Sequence, residues 1–346
     1  MKTTVYNFSV SLGWELIRII SQIDRFDASW STIEKREGAS LAQLRTMATI
    51  KSVGASTRIE GSKMSDAEVQ DFLKELDVSK LEDRDKQEVA GYFASLDIII
   101  DGWNELRISE SSIKSLHNVL MKYNPKDVWH RGNYKQHSNA VEANFPDGSR
   151  QIIFETTPPG YPTEDQMRSL ISWYNQDTEV HALVKSAVLA YEFLSIHPFQ
   201  DGNGRLSRLL TTLSLLSHGY SWIQYVSFEH EIEESKNAYY RSLRHCQAQR
   251  PGEDITEWIS YFLTSLINVQ DKLSRKLERS DVKGSMSPKE KQVYTYIAIN
   301  PGCKSGQVSK DLSIPKPTAK RIIADMVSRD ILEKFGRGAG VNYSIK

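Results

Sequence analysis

The stretch HPFQDGNGRLSR occupies residues 197–208, between two strongly apolar helical patterns. Before it, LVKSAVLAYEFLSI (183–196) has apolar residues at helical spacing on almost every side, which predicts a buried helix that ends at His197. After it, RLSRLLTTLSLLSHG (205–219) predicts a second apolar helix with its stop at the final glycine. The sequence therefore predicts a glycine-rich turn held between two buried helices.

The turn has the composition of an anion-binding site. Gly202 and Gly204 permit positive φ and Asn203 tolerates it, so successive backbone N–H groups can converge on one anion. A helix that begins near Arg205 adds the positive end of its dipole. Arg205 and Arg208 are three positions apart and share a helix face, so both guanidinium groups can reach the same ligand. These residues predict phosphate binding.

Two further residues of the stretch carry catalytic chemistry. His197 follows a rigid helix, which suits a positioned general base. Asp201 supplies a hard oxygen ligand of the kind that Mg²⁺ takes together with substrate phosphates. Each residue alone has a simpler interpretation, because a histidine after a helix is often a cap and paired arginines often form a solvated face. Their combination within twelve residues favours a functional site.

The stretch resembles the Fic family motif H-P-F-x-[D/E]-G-N-G-R-x-x-R at every defined position. The resemblance implies a mainly α Fic-type helical domain with a small β-hairpin flap. It also implies a nucleotidyltransferase that moves AMP from ATP onto a Ser, Thr or Tyr hydroxyl of target proteins or of itself. By position, the resemblance implies that His197 is the base, Asp201 holds Mg²⁺, and Gly202, Asn203, Gly204, Arg205 and Arg208 cradle the phosphates.

An upstream segment suggests how such a site is controlled. STRIEG (56–61) ends an amphipathic helical pattern, with Ser56 and Glu60 on one face and Gly61 placed as a left-handed cap. The simplest interpretation is a helix with an exposed glutamate. The segment also resembles the inhibitory motif [S/T]-x-x-x-E-[G/N] of Fic proteins, which implies that Glu60 pairs with Arg208 and displaces the γ-phosphate.

Helical periodicity continues along most of the chain. Residues 11–80 alternate helix-period segments with short polar joints, and SDAE (65–68) has the form of a capping box. Further helices are predicted over residues 84–108, 111–123, 163–176, 231–249 and 255–273. The periodicity breaks between about 124 and 161, where PDG (146–148) predicts the turn of a hairpin.

The family resemblance assigns roles outside the motif as well. It implies that a target protein docks on the flap, about residues 134–157, by adding an extended strand to its edge. Tyr239 and Tyr240 are typical core aromatics, yet the resemblance places such a pair near the adenine, with Gln247 following as a polar contact. A homodimer is a further candidate assembly.

Composition limits the classes of protein to consider. The chain has 346 residues, with 44 Lys and Arg against 44 Asp and Glu, so no whole-chain charge favours nucleic acid or membranes. No segment approaches the roughly 20 apolar residues of a membrane span. Cys246 and Cys303 are the only cysteines, too few for a disulfide framework. We expect a cytoplasmic protein.

The pattern predicts four regions. They are an N-terminal helical region with the inhibitory motif (1–110), the Fic core (111–273), a linker (274–287) and a C-terminal domain (288–346). The C-terminal order of three helices over 288–299, 305–312 and 316–329, followed by the short strands ILEKFG and VNYSIK, resembles a winged helix. From Ser285 onward eleven Lys and Arg face five Asp and Glu, so DNA is a candidate partner, as is another protein.

The sequence favours a protein adenylyltransferase held in check by Glu60. One alternative is removal of AMP from a modified protein, with Glu60 positioning a water. Another is a DNA-binding regulator whose Fic domain only senses nucleotide. Labelling of protein by ATP distinguishes these functions.

Overall fold

Helices dominate the chain, which confirms the mainly α fold. The computed structural model describes residues 2–78, 81, 83–144, 150–284, 286–336 and 338–346. Internal contacts divide the chain into two units, Met1–Leu273 and Ser274–Lys346. The helices of the first unit are α1 (Trp14–Ile59), α2 (Asp66–Lys74), α3 (Arg84–Gly102), α4 (Glu110–Leu120), α5 (Tyr161–Gln176), α6 (Ala182–Ile196), α7 (Asn203–Ser217), α8 (Phe228–Glu234) and α9 (Lys236–Gln247), and α10 (Thr256–Gly284) continues across the division.

Helices α6 and α7 form the centre of the first unit. Every residue of α6 from Leu183 to Ile196 is buried, and so is every residue of α7 from Arg205 to Leu216. The nearly all-round apolar pattern of α6 requires this, because such a helix must be covered on all sides, whereas α7 also buries polar side chains such as Arg208 and Thr211. The turn between them is therefore held by two helices that pack against each other.

Helix α1 differs from the prediction of several segments with polar joints between residues 11 and 80. It is one continuous helix of 46 residues. No proline interrupts it, and the core covers it at Leu16, Ile23, Trp30 and Val53, so tertiary packing overrides the polar stretches. It ends as predicted, because Gly61 takes a φ of 114° directly after the C-cap residue Glu60.

Other observed helix boundaries differ from the predicted ones by a turn or more. The predicted helix over 84–108 ends earlier, at Gly102, and the predicted helix over 231–249 is divided between α8 and α9. The division falls at Ser235, whose hydroxyl donates to the Glu231 carbonyl one turn back. The capping box at Ser65 and Glu68 is formed as the sequence predicts.

Two hairpins flank the helical core. Strands β1 (Lys2–Val5) and β2 (Phe8–Ser11), which the sequence analysis did not anticipate, pair antiparallel. Strands β3 (Ala140–Asn144) and β4 (Arg150–Glu155) pair antiparallel with a bulge between Val141 and Glu142, which confirms the flap hairpin. The PDG turn predicted at 146–148 lies outside the described residues.

The second unit has its own core. Helices α11 (Pro288–Ile299), α12 (Ser305–Asp311) and α13 (Lys316–Ser328) precede the antiparallel strands β5 (Leu332–Phe335) and β6 (Asn342–Ile345), in the predicted order. Its buried apolar side chains include Val293, Ile297, Val308, Ile323 and Met326. Its assignment as a winged helix stays a prediction. The stretch predicted as a linker is helical as far as Gly284, within α10.

Among the described helices, none combines the length and apolar character needed to cross a lipid bilayer.

Candidate active site

The backbone of the turn places a helix end against a helix start. His197 caps α6 in the left-handed region at a φ of 53°, and its N–H donates to the Phe193 carbonyl. Gly202 has a φ of 79° and is the N-cap of α7, which starts at Asn203. Both glycines permit positive φ, but only Gly202 adopts it, since Gly204 is already helical. The unpaired N–H groups come from the first turn of α7, where a helix binds anions.

Side chains hold the turn closed from within. The Asn203 amide donates to the Phe199 carbonyl and accepts from the Phe199 N–H, at 2.7 and 2.9 Å. The Phe199 ring is fully buried and stacks on His117 with ring centroids 3.8 Å apart. Asn203 therefore stabilises the turn with its side chain, which leaves its backbone N–H directed outward from the helix start.

His117 supports the same turn from α4. Its Nδ1 accepts a hydrogen bond from the Gly132 N–H at 2.9 Å, so Nε2 carries the proton and donates to the Asp201 carbonyl at 3.0 Å. Burial lowers the pKa of His117 to about 4, so the ring is neutral at neutral pH.

His197 has the electronic state that a general base needs. Burial, and next the nearby Lys135 ammonium, lower its pKa to about 4, so the imidazole is neutral and can accept a proton. Its Nδ1 lies 3.4 Å from the Leu194 carbonyl oxygen. A proton on Nδ1 directed at that carbonyl leaves the lone pair on Nε2.

Arg208 joins the turn to the end of α1. The guanidinium is 2% exposed and donates to the Ser56 hydroxyl at 2.8 Å, to the Ser56 carbonyl at 2.9 Å and to the Glu60 carboxylate at 2.8 Å. Burial alone would lower the pKa of Arg208, but the Glu60 carboxylate outweighs it and holds the pKa above its ordinary value. The structure thus brings together Ser56, Glu60 and Arg208, which the sequence placed in two separate motifs.

Charged side chains from α3 surround the carboxylate at the turn. Asp201 lies 3.4 Å from Arg205 and 3.7 Å from Arg84, and Glu88 pairs with both arginines. Burial would raise the pKa of Asp201, but Arg205, the Gly202 N–H and Arg84 together lower it, so the carboxylate is ionised. Arg84 and Glu88 were missed by the sequence analysis because only the fold brings α3 to the turn.

Arg205 has a hydrogen-bond donor without a partner among the described residues. Its side chain is 3% exposed, and this donor is its buried Nε. A buried donor without a partner is costly, so it points to an acceptor that a bound anion would supply.

Helix α9 borders the site through aromatic side chains. Tyr239 and Tyr240 meet edge to face with ring centroids 5.1 Å apart, and the Arg244 guanidinium lies 5.2 Å from the centre of the Tyr240 ring. Burial raises the pKa of Tyr240 to about 12, so its hydroxyl is protonated. The Gln247 amide donates to the Ser195 hydroxyl at 3.0 Å, two positions before His197. Gln247 is therefore tied to α6 in this structure.

Lys135 is a third residue that the sequence did not reveal. It lies in a turn-rich segment where a lysine is ordinarily exposed, yet it is 2% exposed and contacts the carbonyl of Ile196, the residue before His197. Local pattern gives no signal for such a lysine, because its contacts are distant in sequence.

Few side chains at the site could bind a metal ion. In the part of the chain that the structure describes, no cluster of three or more His, Cys, Asp and Glu side chains has the arrangement of a metal site. The candidate Mg²⁺ ligand is the Asp201 carboxylate, which is 44% exposed.

A family comparison covers this site. The model of the Fic/DOC family matches residues 107–215, which include the whole of 197–208. Among curated relatives, a probable protein adenylyltransferase of Aquifex aeolicus is 29% identical over 144 residues, 38% of this chain and 44% of that protein. A Fido domain-containing protein of Dictyostelium discoideum is 38% identical over 84 residues, 23% of this chain and 54% of that protein. The matches thus span about half the length of these relatives.

Solved structures share the fold. A Fic family protein from Desulfovibrio desulfuricans superposes with a TM-score of 0.63 at 22% identity and covers 97% of both chains. A Fic domain-containing signaling protein from Bacteroides thetaiotaomicron superposes with a TM-score of 0.54 at 23% identity, over 75% of this chain and 93% of that chain. At these identities the likeness concerns the fold alone.

Proposed function

This chain belongs to the Fic/DOC family, and we propose that it is a protein adenylyltransferase that transfers AMP from ATP to a hydroxyl side chain of a target protein. The observation that carries the proposal is the meeting of a neutral His197 with the first turn of α7 and with Arg208. A base and an anion cradle at one turn are the two components that phosphoryl transfer requires.

His197 acts on the acceptor rather than on the nucleotide. As the hydroxyl oxygen attacks the α-phosphorus, its proton passes to the imidazole of His197. A bond forms between that oxygen and phosphorus, the bond from phosphorus to the bridging oxygen breaks, and pyrophosphate leaves with the bonding electrons. The lowered pKa of His197 keeps it able to accept the proton at neutral pH.

The phosphates bind at the start of α7. The N–H groups of Asn203, Gly204 and Arg205 have no partner within the helix, and the dipole of α7 favours negative charge there. The unpaired Nε of Arg205 finds its acceptor in a phosphate oxygen. Fixed donors of this kind stabilise the charge that builds up in the transition state.

Asp201 is the residue that would hold Mg²⁺. Its ionised, partly exposed carboxylate is a hard oxygen ligand, and Mg²⁺ commonly takes one or two carboxylates plus substrate phosphates. When bound, Mg²⁺ would neutralise part of the charge on the phosphates. Arg84 and Arg205 lie beside the same carboxylate and add positive charge to that side of the turn.

In this proposal the nucleoside binds beside α9 and the target binds on the flap. The partly buried ring of Tyr240, which packs against the buried Tyr239, offers an apolar face to adenine, and Gln247 offers an amide once it leaves Ser195. The two-stranded sheet of β3 and β4 has an unpaired edge to which an extended target segment can add.

The enzyme is proposed to be autoinhibited by Glu60. In the pair with Arg208, the carboxylate takes up donors that the γ-phosphate would use. ATP then binds without the geometry needed for in-line attack.

Label transfer tests the function. The purified chain, its Glu60→Gly variant and the Glu60→Gly, His197→Ala double variant are incubated with cell extract and ATP labelled at the α-phosphate, and modified peptides are identified by mass spectrometry. We expect protein labelling by Glu60→Gly, none by the double variant, and similar ATP affinity for both. ATP labelled at the γ-phosphate is the control, because in AMP transfer the γ-phosphate leaves with pyrophosphate and the target protein stays unlabelled. Labelling from the γ-phosphate that is greater with Glu60→Gly than with the double variant, or no labelling from either position, would contradict the proposal.

A second candidate function belongs to the C-terminal unit. Lys316, Lys320 and Arg321 are exposed on α13, which favours contact with DNA phosphates. We expect the Lys316→Glu, Lys320→Glu variant to bind a mixed-sequence duplex more weakly and to lower the salt slope by about 2. The matched control reverses two exposed lysines of α11, Lys289 and Lys291. Equal binding by both variants would exclude α13 as the contact.

A further inference from the structure

The ammonium group of Lys135 is buried, and its hydrogen bonds all go to neutral oxygens. The residue is 2% exposed. Its Nζ donates to the Asn139 side-chain oxygen at 2.8 Å, to the Thr156 hydroxyl at 2.8 Å and to the Ile196 carbonyl at 3.2 Å. None of the described carboxylates forms an ion pair with it. Burying a charge without a counter-charge is unfavourable. If the only role of this position were to fill space, we would expect an uncharged side chain there.

These acceptors belong to two structural elements. Asn139 immediately precedes β3 and Thr156 immediately follows β4, so together they form the base of the flap hairpin. Their side chains also bond each other at 2.6 Å. Ile196 is the last residue of α6, directly before His197. One ammonium group therefore joins the flap base to the helix end that carries the proposed base.

Two further hydrogen bonds, one from a backbone N–H and one from a side-chain amide, join the same two elements on the other side of His197. The Lys135 N–H donates to the Pro198 carbonyl at 2.8 Å, and the Asn139 amide donates to the Phe199 carbonyl at 2.9 Å. The peptide is thus held both before and after His197 by residues of the flap base. A displacement of the flap would be passed to the imidazole through these bonds.

We propose that Lys135 is a positioning residue for AMP transfer, which fixes the distance between the acceptor hydroxyl on the flap and the imidazole of His197. This inference rests on the proposed function. Transfer depends on geometry of this kind, because a misplacement of about 1 Å can lower a rate by roughly a hundredfold. The lysine does this without contacting the start of α7, so ATP binding is independent of it.

The charge of Lys135 adds an electrostatic effect. Three charged groups act on His197: Lys135 before the flap lowers its pKa, whereas Glu60 at the end of α1 and Asp201 in the turn raise it. Loss of the ammonium therefore raises the pKa of His197 toward its ordinary value. An arginine at position 135 keeps the charge, and a methionine keeps only the length of the side chain.

The test compares Lys135→Met and Lys135→Arg in full-length protein that also carries Glu60→Gly, so inhibition does not intervene. The acceptor is a tagged His197→Ala chain supplied at varied concentration. Lys185→Met is the matched control, since Lys185 is likewise buried, on α6, and donates to the Asp177 carbonyl away from the site. Initial rates are measured against acceptor and against ATP, from pH 3.5 to 7.5, so that the range includes the His197 pKa of about 4.

We expect Lys135→Met to lower kcat by about ten- to a hundredfold, to raise KM for the acceptor and to leave KM for ATP within about twofold. The acid limb of its pH–rate profile, where protonation of His197 lowers the rate, should move to higher pH. Lys135→Arg should recover most of kcat and the original acid limb, and Lys185→Met should match the parent. A kcat for Lys135→Met equal to that of Lys185→Met, or an equal rise in both KM values, would overturn the inference.

A folding defect is separated by a second variant. Thr156→Val removes one acceptor of the ammonium at the flap and keeps the lysine, and thermal unfolding is recorded for every protein. We expect a several-fold lower kcat with an unchanged KM for ATP. If Lys135→Met does not fold, an unchanged kcat in Thr156→Val overturns the inference. Absence of labelling by the Glu60→Gly parent would count against the proposed function itself. That result differs from a loss of labelling confined to the Lys135 variants, so the two failures can be told apart.

Discussion

The guanidinium of Arg208 donates a hydrogen bond of 2.8 Å to the carboxylate of Glu60, although 148 positions separate the two residues. Arg208 is 2% exposed and the Glu60 side chain is 32% exposed, so the carboxylate is the partner that can move away. A Cβ built on Gly204 would come within 2.3 Å of Oε1 of Glu60. Glu60 therefore covers both the guanidinium and the first turn of α7, where the phosphates are proposed to bind.

Removal of this carboxylate should activate the enzyme. Glu60→Gly frees Arg208 for the γ-phosphate, and one charged contact to a transition state is commonly worth about 2–4 kcal/mol, so incorporation of labelled AMP should rise by tens to hundreds of fold, roughly. The Glu60→Gly, Arg208→Ala double variant should lose the gain. Glu105→Gly, at an exposed turn after α3, is the control. An unchanged rate in Glu60→Gly would show that the end of α1 is scaffold only.

A second ion pair holds the proposed inhibitory turn, at the end of α1, in place. Arg58 makes two hydrogen bonds to Glu233 of α8, at 2.6 and 2.9 Å, and another to the Met64 carbonyl at 2.9 Å. Asp66 lies 2.9 Å from the same guanidinium. These bonds fix the end of α1, and with it Glu60, relative to α8.

Arg58→Ala should therefore relieve part of the inhibition. Hydrogen bonds to charged groups contribute roughly 1.5–3 kcal/mol, so we expect basal AMP incorporation to rise by roughly tenfold, with a lower melting temperature. The control is Arg25→Ala, an exposed arginine on the same helix, which should change neither quantity. A lower melting temperature without more labelling would mean that the Arg58 contacts stabilise the fold and do not position Glu60.

Local pattern predicted the parts of the molecule that depend on near neighbours. The burial of α6 and α7, the stop at Gly61 and the order of elements in the C-terminal unit follow from periodicity and turn chemistry, which are visible in the sequence. The turn at Gly202 was anticipated as well, because only a few residues determine it.

Contacts between distant segments could not be predicted in this way. The hairpin of β1 and β2 is fixed by two hydrogen bonds that no local pattern indicates: the Ser9 N–H donates to the Glu253 carbonyl, and the Ile255 N–H donates to the Ser9 carbonyl. The continuity of α1 likewise depends on what covers it. Lys135 was missed for the same reason, since a buried lysine and an exposed one look alike in a sequence.

Gly91 marks a close approach of α3 to α4, the helix that carries His117. A Cβ on Gly91 would lie 2.0 Å from the Leu120 carbonyl oxygen, so alanine must push the two helices apart. We expect Gly91→Ala to lower the free energy of unfolding by about 1–3 kcal/mol, measured by urea denaturation. Gly102→Ala, at the open end of α3, has no atom within 4 Å and should be neutral or stabilising by up to about 1 kcal/mol. Equal losses in both variants would contradict this account.

The pH dependence of transfer should reveal the state of Lys135. Burial lowers its pKa from an ordinary 10.5 to about 8, so in the Glu60→Gly protein the ammonium loses its proton, its charge and a donor as pH rises through about 8. The rate of AMP incorporation should fall over that range. In Lys135→Arg the guanidinium stays charged, and we expect no fall there.

Stability should move in the opposite direction over the same range. Because the pKa of Lys135 is lower in the folded chain, the unfolded chain binds more protons between about pH 8 and 10.5, so this residue makes the free energy of unfolding rise with pH. Initial rates and urea denaturation from pH 7 to 10, for both proteins, separate loss of transfer from loss of structure. An alkaline fall in rate of the same size in Lys135→Arg would assign it to another group and remove Lys135 from the explanation.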